Sequence, residues 1–492
     1  MSRAHSSRVV AGIDSSTQST KVVLCDAADG TVVGRGSAPH PAGTEADPAA
    51  WWAALRQAGD GLLDRAAAVG VAGQQHGMVV LDEDGRVIRP ALLWNDLRSA
   101  AAAGELITEL GGPSWWADTT GSVPTASFTV TKLRWLAEHE PASAARVAGV
   151  LLPHDWLTWR LAGGGPGTGW PAAGSGAMAG VTPVTDRGDA SGTGYFSPAT
   201  GHWLTEVAVA ALGHEPALPR VAGPGEAMAV AGPPGPDGPV IQAGTILSAG
   251  TGDNMGAALG LGLAPGEVAI SIGTSGTAFA VSEVPAADPS GLVAGFADAT
   301  GRFLPLVCTI NAGLVLSAMA GLLSTDMNGL SGLALAAEPG AAGVTLLPYL
   351  DGERTPDRPA ATGVLRGLTT RNATRENLAR ATVEAVLASL AEAAGYLAGC
   401  GVDQRRVLLI GGGARSEAAC RLAPGIFGAP VGVPEPDEYV AIGAARQAAW
   451  ALAGTPAPPG WPRRGVAEYS GPPEPLVRER HVALREDTAS WS

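Results

Sequence analysis

The sequence predicts an α/β protein of two large domains that face each other across a ligand cleft. Three observations carry that prediction. A chain of 492 residues is too long for one ordinary core. Each half opens alike, with an apolar run, a small polar turn and a second apolar run, at residues 8–25 and again at 267–282. Polar clusters also follow apolar runs at 74–77, 94–96 and 248–254, and open α/β sheets bind ligands at the carboxyl ends of their strands.

Composition narrows the class. With 46% hydrophobic and 16% charged residues, the chain has the balance of a globular protein with a large core. A net charge of −14 argues against nucleic acid or an anionic membrane as the main partner. Small polyanions such as nucleotides stay open, because a few local donors suffice to hold them. No uninterrupted apolar run reaches the ~18 residues of a spanning helix. The polar stretch Met1 to Arg8 lacks the apolar core of a signal peptide, so a cytoplasmic protein is expected. Cys25, Cys308, Cys400 and Cys420 are scattered without a CxxC pair and read as reduced thiols.

In the first half, residues 8–14 read as a strand, 15–18 as a turn and 19–25 as a second strand. Asp14, Ser15, Ser16, Thr17, Ser19, Thr20 and Lys21 put an acid, five hydroxyls and an ammonium into one hairpin. Backbone N–H groups, hydroxyls and Lys21 suit a phosphate, and Asp14 suits Mg²⁺ held through water. A plain polar turn explains the hydroxyls, but explains less well an acid that ends an apolar strand. Of 32 basic residues only Lys21 and Lys132 are lysine, which hints at a compact point charge on phosphate. Asp47-Pro48 starts a helix whose buried face is Trp51, Trp52, Leu55, Leu62 and Leu63. A strand at 69–73 delivers Gln74-Gln75-His76-Gly77. Residues 78–81 and 86–88 are expected to form a hairpin, and a strand at 91–94 brings up Asn95-Asp96. Amide, imidazole and carboxylate groups together suit a polyol, whose hydroxyls need donors and acceptors. The Gly-rich run 163–180 reads as a surface loop, 185–196 as a turn into a strand, and the Pro/Gly-rich 216–239 as the approach to a domain boundary.

At mid-chain, Asp253 is a lone acid among small residues in Ser248-Ala-Gly-Thr-Gly-Asp253-Asn254, after a strand at 245–247 and before a helix at 255–261. By itself Gly-Asp-Asn reads as a turn. The second half repeats the opening, with a strand at 267–272, the turn Gly273-Thr274-Ser275-Gly276 and a strand at 277–282. Two such openings point to a nucleotide held between the halves. A helix at 376–397 presents Val383, Val386, Leu387 and Leu390 on one face. A strand at 405–410 runs into Gly411-Gly412-Gly413-Ala414-Arg415-Ser416, with Ser416 capping a helix through Phe427. Three glycines let the backbone lie against a planar or phosphorylated ligand. A dinucleotide site is disfavoured, because Ser416 stands where the third glycine belongs. A packing helix at 439–452 follows, and the chain past Gly454 reads as a peripheral tail.

These residues resemble the FGGY family of carbohydrate kinases. Residues 127–139 look like its first signature and 363–384 its second. Gly-Gln-Gln-His-Gly at 73–77, Leu-Trp-Asn-Asp at 93–96, Gly-Asp-Asn at 252–254, Tyr-Leu-Asp-Gly-Glu-Arg-Thr-Pro at 349–356 and the glycines at 411–413 extend the match in the expected order. The resemblance implies two actin-like (ribonuclease H-like) ATPase domains flanking a deep cleft. They are an N-terminal domain at 1–245, an ATP-binding domain at 246–455 and a C-terminal tail at 456–492. It implies ATP-dependent phosphorylation of a small ketose, D-xylulose first, with D-ribulose, L-ribulose or glycerol as alternatives. A non-catalytic nucleotide switch on the same fold is a rival from another class, but a switch needs neither a base nor a sugar site. By position the resemblance makes Asp253 the catalytic base, Asp14 the Mg²⁺-associated acid, and Thr17, Lys21, Gly273 and Thr274 the phosphate contacts. Gly411, Gly412, Gly413 and Ala414 become the adenosine site. Gln75, His76, Asp253 and Asn254 become the sugar contacts, with Asn95 joining them from the second polar cluster. Lys132 is left to structure in the signature helix. Two departures stand out: Gln75 where many members carry methionine, and the Gly-rich insert. Sugar and ATP are the partners implied, with a homodimer as the family's usual assembly.

Overall fold

A computed structural model describes residues 8–168, 181–230 and 241–491. Most of the Gly-rich insert and much of the Pro-rich approach at 216–239 lie outside the described residues. The first lobe begins with β1 (Val9–Ser15), β2 (Ser19–Asp26) and β3 (Val32–Pro39), an antiparallel meander. Helix α1 (Pro48–Gly59) follows, with the Asp47 side chain accepting from the Ala49 N–H as its cap. Trp51 and Leu55 then pack beneath the sheet. Strand β4 (Ala68–Gly73) returns parallel to β1. A helical insertion carries α2 (Thr129–His139), α3 (Pro153–Leu161) and α4 (Arg187–Ser191). Strand β5 (Ala227–Val230) runs antiparallel to β6 (Ile246–Ser248), and β6 runs parallel to β4. After a break at Ala249-Gly250, β7 (Thr251–Gly252) continues along β4 and leads into α5 (Asp253–Leu261).

The second lobe repeats the plan. Strands β8 (Glu267–Ile272), β9 (Gly276–Ala280), β10 (Ala294–Ala297) and β11 (Phe303–Thr309) form its antiparallel part. Helices α6 (Gly313–Leu322) and α7 (Arg375–Gly399) pack against this sheet. Strand β12 (Arg406–Ile410) pairs parallel with β8, helix α8 (Glu417–Phe427) follows, and β13 (Val431–Val433) pairs parallel with β12. Helix α9 (Tyr439–Ala453) precedes β14 (Ala467–Tyr469), which closes the edge beside β13, and α10 (Pro475–Asp487). Strand orders β3-β2-β1-β4-β6 and β11-β9-β8-β12-β13 therefore match pair for pair, antiparallel twice and then parallel twice. That is the internal duplication the two openings suggest. Helix α7 is long and apolar enough to cross a bilayer, but 78% of its apolar window is buried inside this lobe.

The lobes are joined by exchanged helices. Helix α5, from the end of the first repeat, packs through Met255, Leu259 and Leu261 against Ala269, Phe279 and Leu408 of the second sheet. Helix α9, from the end of the second repeat, packs through Ala441, Ala445 and Ala448 against Val10, Val23 and Ala68 of the first. The two helices touch where Gly443 faces Gly256: a Cβ on Gly443 would lie 1.8 Å from the Gly256 carbonyl oxygen.

Several local expectations are corrected. Residues 79–81 also pair with 149–151, and the expected hairpin is short, held by a Leu81–Val87 bridge and by bonds from the Asp82 and Ile88 N–H groups to the Arg86 and Val80 carbonyls. The segment 185–196 holds an unexpected short helix, since the Asp186 side chain accepts from the Gly188 and Asp189 N–H groups and starts α4, before a turn that runs into the two-residue strand Phe196–Ser197. Strands β6 and β7, placed by sequence at the opening of the second domain, pair within the first sheet. Residues 456–492, expected as a peripheral tail, supply the edge strand β14 and helix α10 of the second lobe.

Candidate active site

Strand register builds the first-lobe half of the site. Asp14 pairs with Ala72 and Ser15 with Gly73 across β1 and β4, while Thr251 pairs with Ala72 and Gly252 with Gly73 across β4 and β7. Three strands thus end at one level, delivering Asp14, then Gln74–His76, then Asp253. Since β1 and β7 flank β4, their backbones stand about 10 Å apart, two strand spacings, which leaves a gap for a reacting group between two acids.

Asp253 opens α5 and is only partly exposed. The backbone N–H and side-chain amide of Asn254 donate to its Oδ1 at 2.7 and 2.8 Å, so Oδ2 is left for another partner. Asn254 Nδ2 also reaches Gln75 Oε1 at 3.3 Å. Burial pushes the Asp253 carboxyl up to about 7, and the charge of Asp14 adds to the rise. Burial likewise pushes Asp14 up to about 6, against the Ser16 hydroxyl and the Lys21 ammonium, which pull it down. Two mutually repelling carboxylates in one cleft are the acid–base pattern of a reaction site.

His76 sits at φ +68°, and its ring lies 4.7 Å from Phe128 and 5.8 Å from Phe296, a residue of the second lobe. Its Nδ1 is 2.6 Å from the Gly192 carbonyl oxygen, which can only accept, so the proton is on Nδ1. Burial pulls the imidazole down to about 3, opposed by the Gly192 bond and aided by Lys132 and Arg354. The ring is therefore neutral, and Nε2 is an acceptor. Gln74 Nε2, Gln75 Nε2 and Asn95 Oδ1 are buried without a partner, two donors and an acceptor that mark a place for a polar ligand. Thr17 joins the group by donating to Gln74 Oε1 at 3.3 Å and accepting from Trp94 Nε1 at 2.8 Å. Asp96, next to Asn95, is instead taken up by Arg98 and Thr44.

The second-lobe half sits at the carboxyl ends of β8 and β12, where Ser271 pairs with Ile410. That pairing sets the exposed Gly273-Thr274 turn beside Gly411–Ala414. Gly411 has φ +85°, and a Cβ on Gly413 would fall 2.2 Å from Ile272 Cγ2, so the loop lies tight on β8. Lys21 is held apart from these groups, 2.6 Å from Glu438 at the start of α9.

Some neighbours carry no sequence signal of their own. Gly313 and Leu314 start α6 by donating to the carbonyls of Gly273 and Thr274 at 2.9 and 3.1 Å. The Glu353 carboxylate accepts from the Ile310 and Arg354 N–H groups at 2.7 and 2.8 Å, tying the 349–356 motif to that helix start. Only the sharp turn in that motif, Gly352-Glu353, hinted at such a tie. A raised carboxyl, unpartnered amides and a neutral imidazole gather at the strand ends of the first lobe, and glycine loops end the matching strands of the second. The arrangement suits transfer of a group between two bound ligands.

Comparison with known proteins agrees. Residues 9–260 match the N-terminal domain, and residues 268–452 the C-terminal domain, of the FGGY family of carbohydrate kinases. The chain is 49% identical over 457 residues to the xylulose kinase of Streptomyces coelicolor, spanning 91% of this chain and 88% of that protein. It is 47% identical over 460 residues to the xylulose kinase of Streptomyces rubiginosus, with the same 91% and 88% coverage. The crystal structure of xylulose kinase from Bifidobacterium adolescentis superposes with a TM-score of 0.86 at 45% identity, covering 97% of this chain and 99% of that one.

Proposed function

The chain belongs to the FGGY family of carbohydrate kinases, and on that premise we propose that it transfers the γ-phosphoryl group of ATP to the 5-hydroxyl of D-xylulose. The observation that carries this reading is Asp253, raised to about 7, facing Asp14 across one strand. Asp253 Oδ2 takes the hydroxyl proton as the sugar oxygen attacks the γ-phosphorus, the bond to the bridging oxygen breaks, and ADP leaves. Asn254 fixes the base, and His76 Nε2, Gln75 Nε2 and Asn95 Oδ1 hold the other hydroxyls. Xylulose kinases at 49% and 47% identity support the choice of sugar.

Thr17 and the Gly273-Thr274 turn hold the phosphates, Lys21 exchanges Glu438 for them, and Gly411–Ala414 flank the adenosine. Asp14 is a hard oxygen donor that no full counter-charge satisfies, which fits Mg²⁺. When bound with ATP, the ion supplies charge neutralisation at the phosphates. The base opens α5, the helix that leaves the first sheet at Gly252 and packs against the second. We place the protein in the cytoplasm, as free Cys25, Cys308, Cys400 and Cys420 favour, and as a homodimer on the family's pattern.

A panel of D-xylulose, D-ribulose, L-ribulose and glycerol, assayed for ADP release, tests the reading. D-Xylulose is expected to lead in kcat/KM by roughly 10²-fold, since each sugar's mismatch leaves buried polar groups unpaired. No ADP release above background with any of the four would overturn it.

A further inference from the structure

Beneath the site lies a second charge cluster that the reaction does not touch. His154, in the first turn of α3, is wholly buried, and the buried carboxylates of Asp155, Asp186 and Asp189 surround it. Its Nδ1 is 2.5 Å from Asp189 Oδ2, and its Nε2 is 3.2 Å from Asp155 Oδ1 and 4.0 Å from Asp186 Oδ1. Among the described residues no lysine or arginine pairs with any of the three acids. Buried carboxylates demand a counter-charge, and this imidazole is the one cation within reach. Burial pulls His154 down, but the three carboxylates outweigh it and hold the ring up at about 10.

The cluster touches the segments that deliver His76 and Asp253. A Cβ on Gly250 would fall 2.3 Å from His154 Cδ2, and one on Gly73 would fall 2.9 Å from His154 Cβ, so the residue fills the space under β7 and the end of β4. Thr251 Oγ1 donates to Asp186 Oδ2 at 3.2 Å, one residue ahead of Gly252 and two ahead of Asp253. Asp186 caps α4, and α4 ends at Gly192, whose carbonyl fixes the His76 ring.

We propose that His154 is a positioning residue: its positive charge gathers Asp186 and Asp189 and thereby fixes β7, and with it Asp253, against β4 and His76. The inference rests on Asp253 acting as the base. Donor atoms of His154, Asp155 and Asp189 lie within 4.8 Å of one another, a spacing that would also suit a metal ion. Protons and a metal ion compete for the same ring nitrogens, so removal by a chelator separates the two.

The test compares His154→Gln, which keeps a polar side chain and removes the charge, with His154→Lys, which keeps the charge. Both are measured against wild type on the ketose that wild type turns over best, so a failed substrate reading shows in wild type first. His154→Gln is expected to lose ~10- to 100-fold in kcat, the cost of a base displaced by a fraction of an ångström to an ångström. Its KM for ATP is expected to move far less than its kcat, because His154 packs under Gly73 and Gly250 and not on the groups assigned to the phosphates and adenosine, and His154→Lys recovers most of the kcat. Should the 154 variants fail to fold, Thr251→Val decides, because it cuts only the link from Asp186 to β7 and is expected to lower kcat at an unchanged KM for ATP. Wild-type kcat in His154→Gln, equal loss in folded Gln and Lys variants, or an unaltered Thr251→Val would overturn the proposal. A melting temperature of unliganded wild type that falls on dialysis against EDTA would overturn it in favour of a metal.

Discussion

Asp253 and Asp14 are carboxylates whose folded values lie above the ordinary 3.8, chiefly through burial. The proposed base works only when ionised, so kcat/KM is expected to rise with pH and level off above about 7, the value to which burial lifts Asp253. A profile flat from pH 5 to 8 would contradict that. Linkage gives the companion sign. Between about pH 4 and 7 these two folded carboxyls hold protons that the unfolded chain has released, so their own contribution to unliganded stability falls as pH rises through this window, against the opposite contribution of the depressed His76. At this scale the sequence was partly legible. Gln75, His76 and Asp253 follow strands and stand out by chemistry. The neutral state of His76 was not legible, because it depends on Phe128 and Phe296 from different lobes. The Lys21–Glu438 pair joins residues far apart in the chain, and His154 in Leu-Pro-His-Asp-Trp carries no mark of a site.

Elements set by local chemistry matched the sequence: the Asp47-Pro48 and Ser416 helix starts, and the strand–turn–strand openings. Those that depend on a distant partner did not. The short 78–88 hairpin gains an outside partner at 149–151, and β14 forms only because β13 offers an open edge. An equally tight helix-on-sheet approach is also silent in sequence. Gly12 in β1 has ordinary backbone angles, yet a Cβ there would fall 1.8 Å from the Ala441 carbonyl oxygen of α9. Gly12→Ala should therefore destabilise the protein by about 2–3 kcal/mol through overpacking, although alanine ordinarily stabilises strands relative to glycine. Urea unfolding of the variant checks this; a neutral or stabilising change would mean α9 does not sit so close.

Across the whole molecule, the duplicated openings announced two related lobes and a cleft. The exchange of α5 and α9 was hidden, because both are small-residue helices that look alike from either side. In the proposed assignment both lobes contribute to the nucleotide site while the sugar groups lie on the first, so transfer requires the lobes to approach. Solution scattering should show a smaller radius of gyration with D-xylulose and a non-hydrolysable ATP analogue together than without ligands. An unchanged radius would argue for a fixed cleft.

The most direct measurement is phosphoryl transfer by Asp253→Asn, with ATP binding followed by calorimetry on the same sample. Loss of at least ~10³-fold in kcat with ATP affinity within about twofold of wild type is the outcome expected of a general base. Turnover near the wild-type rate, with D-xylulose bound and ATP present, would show that the proton leaves by another route.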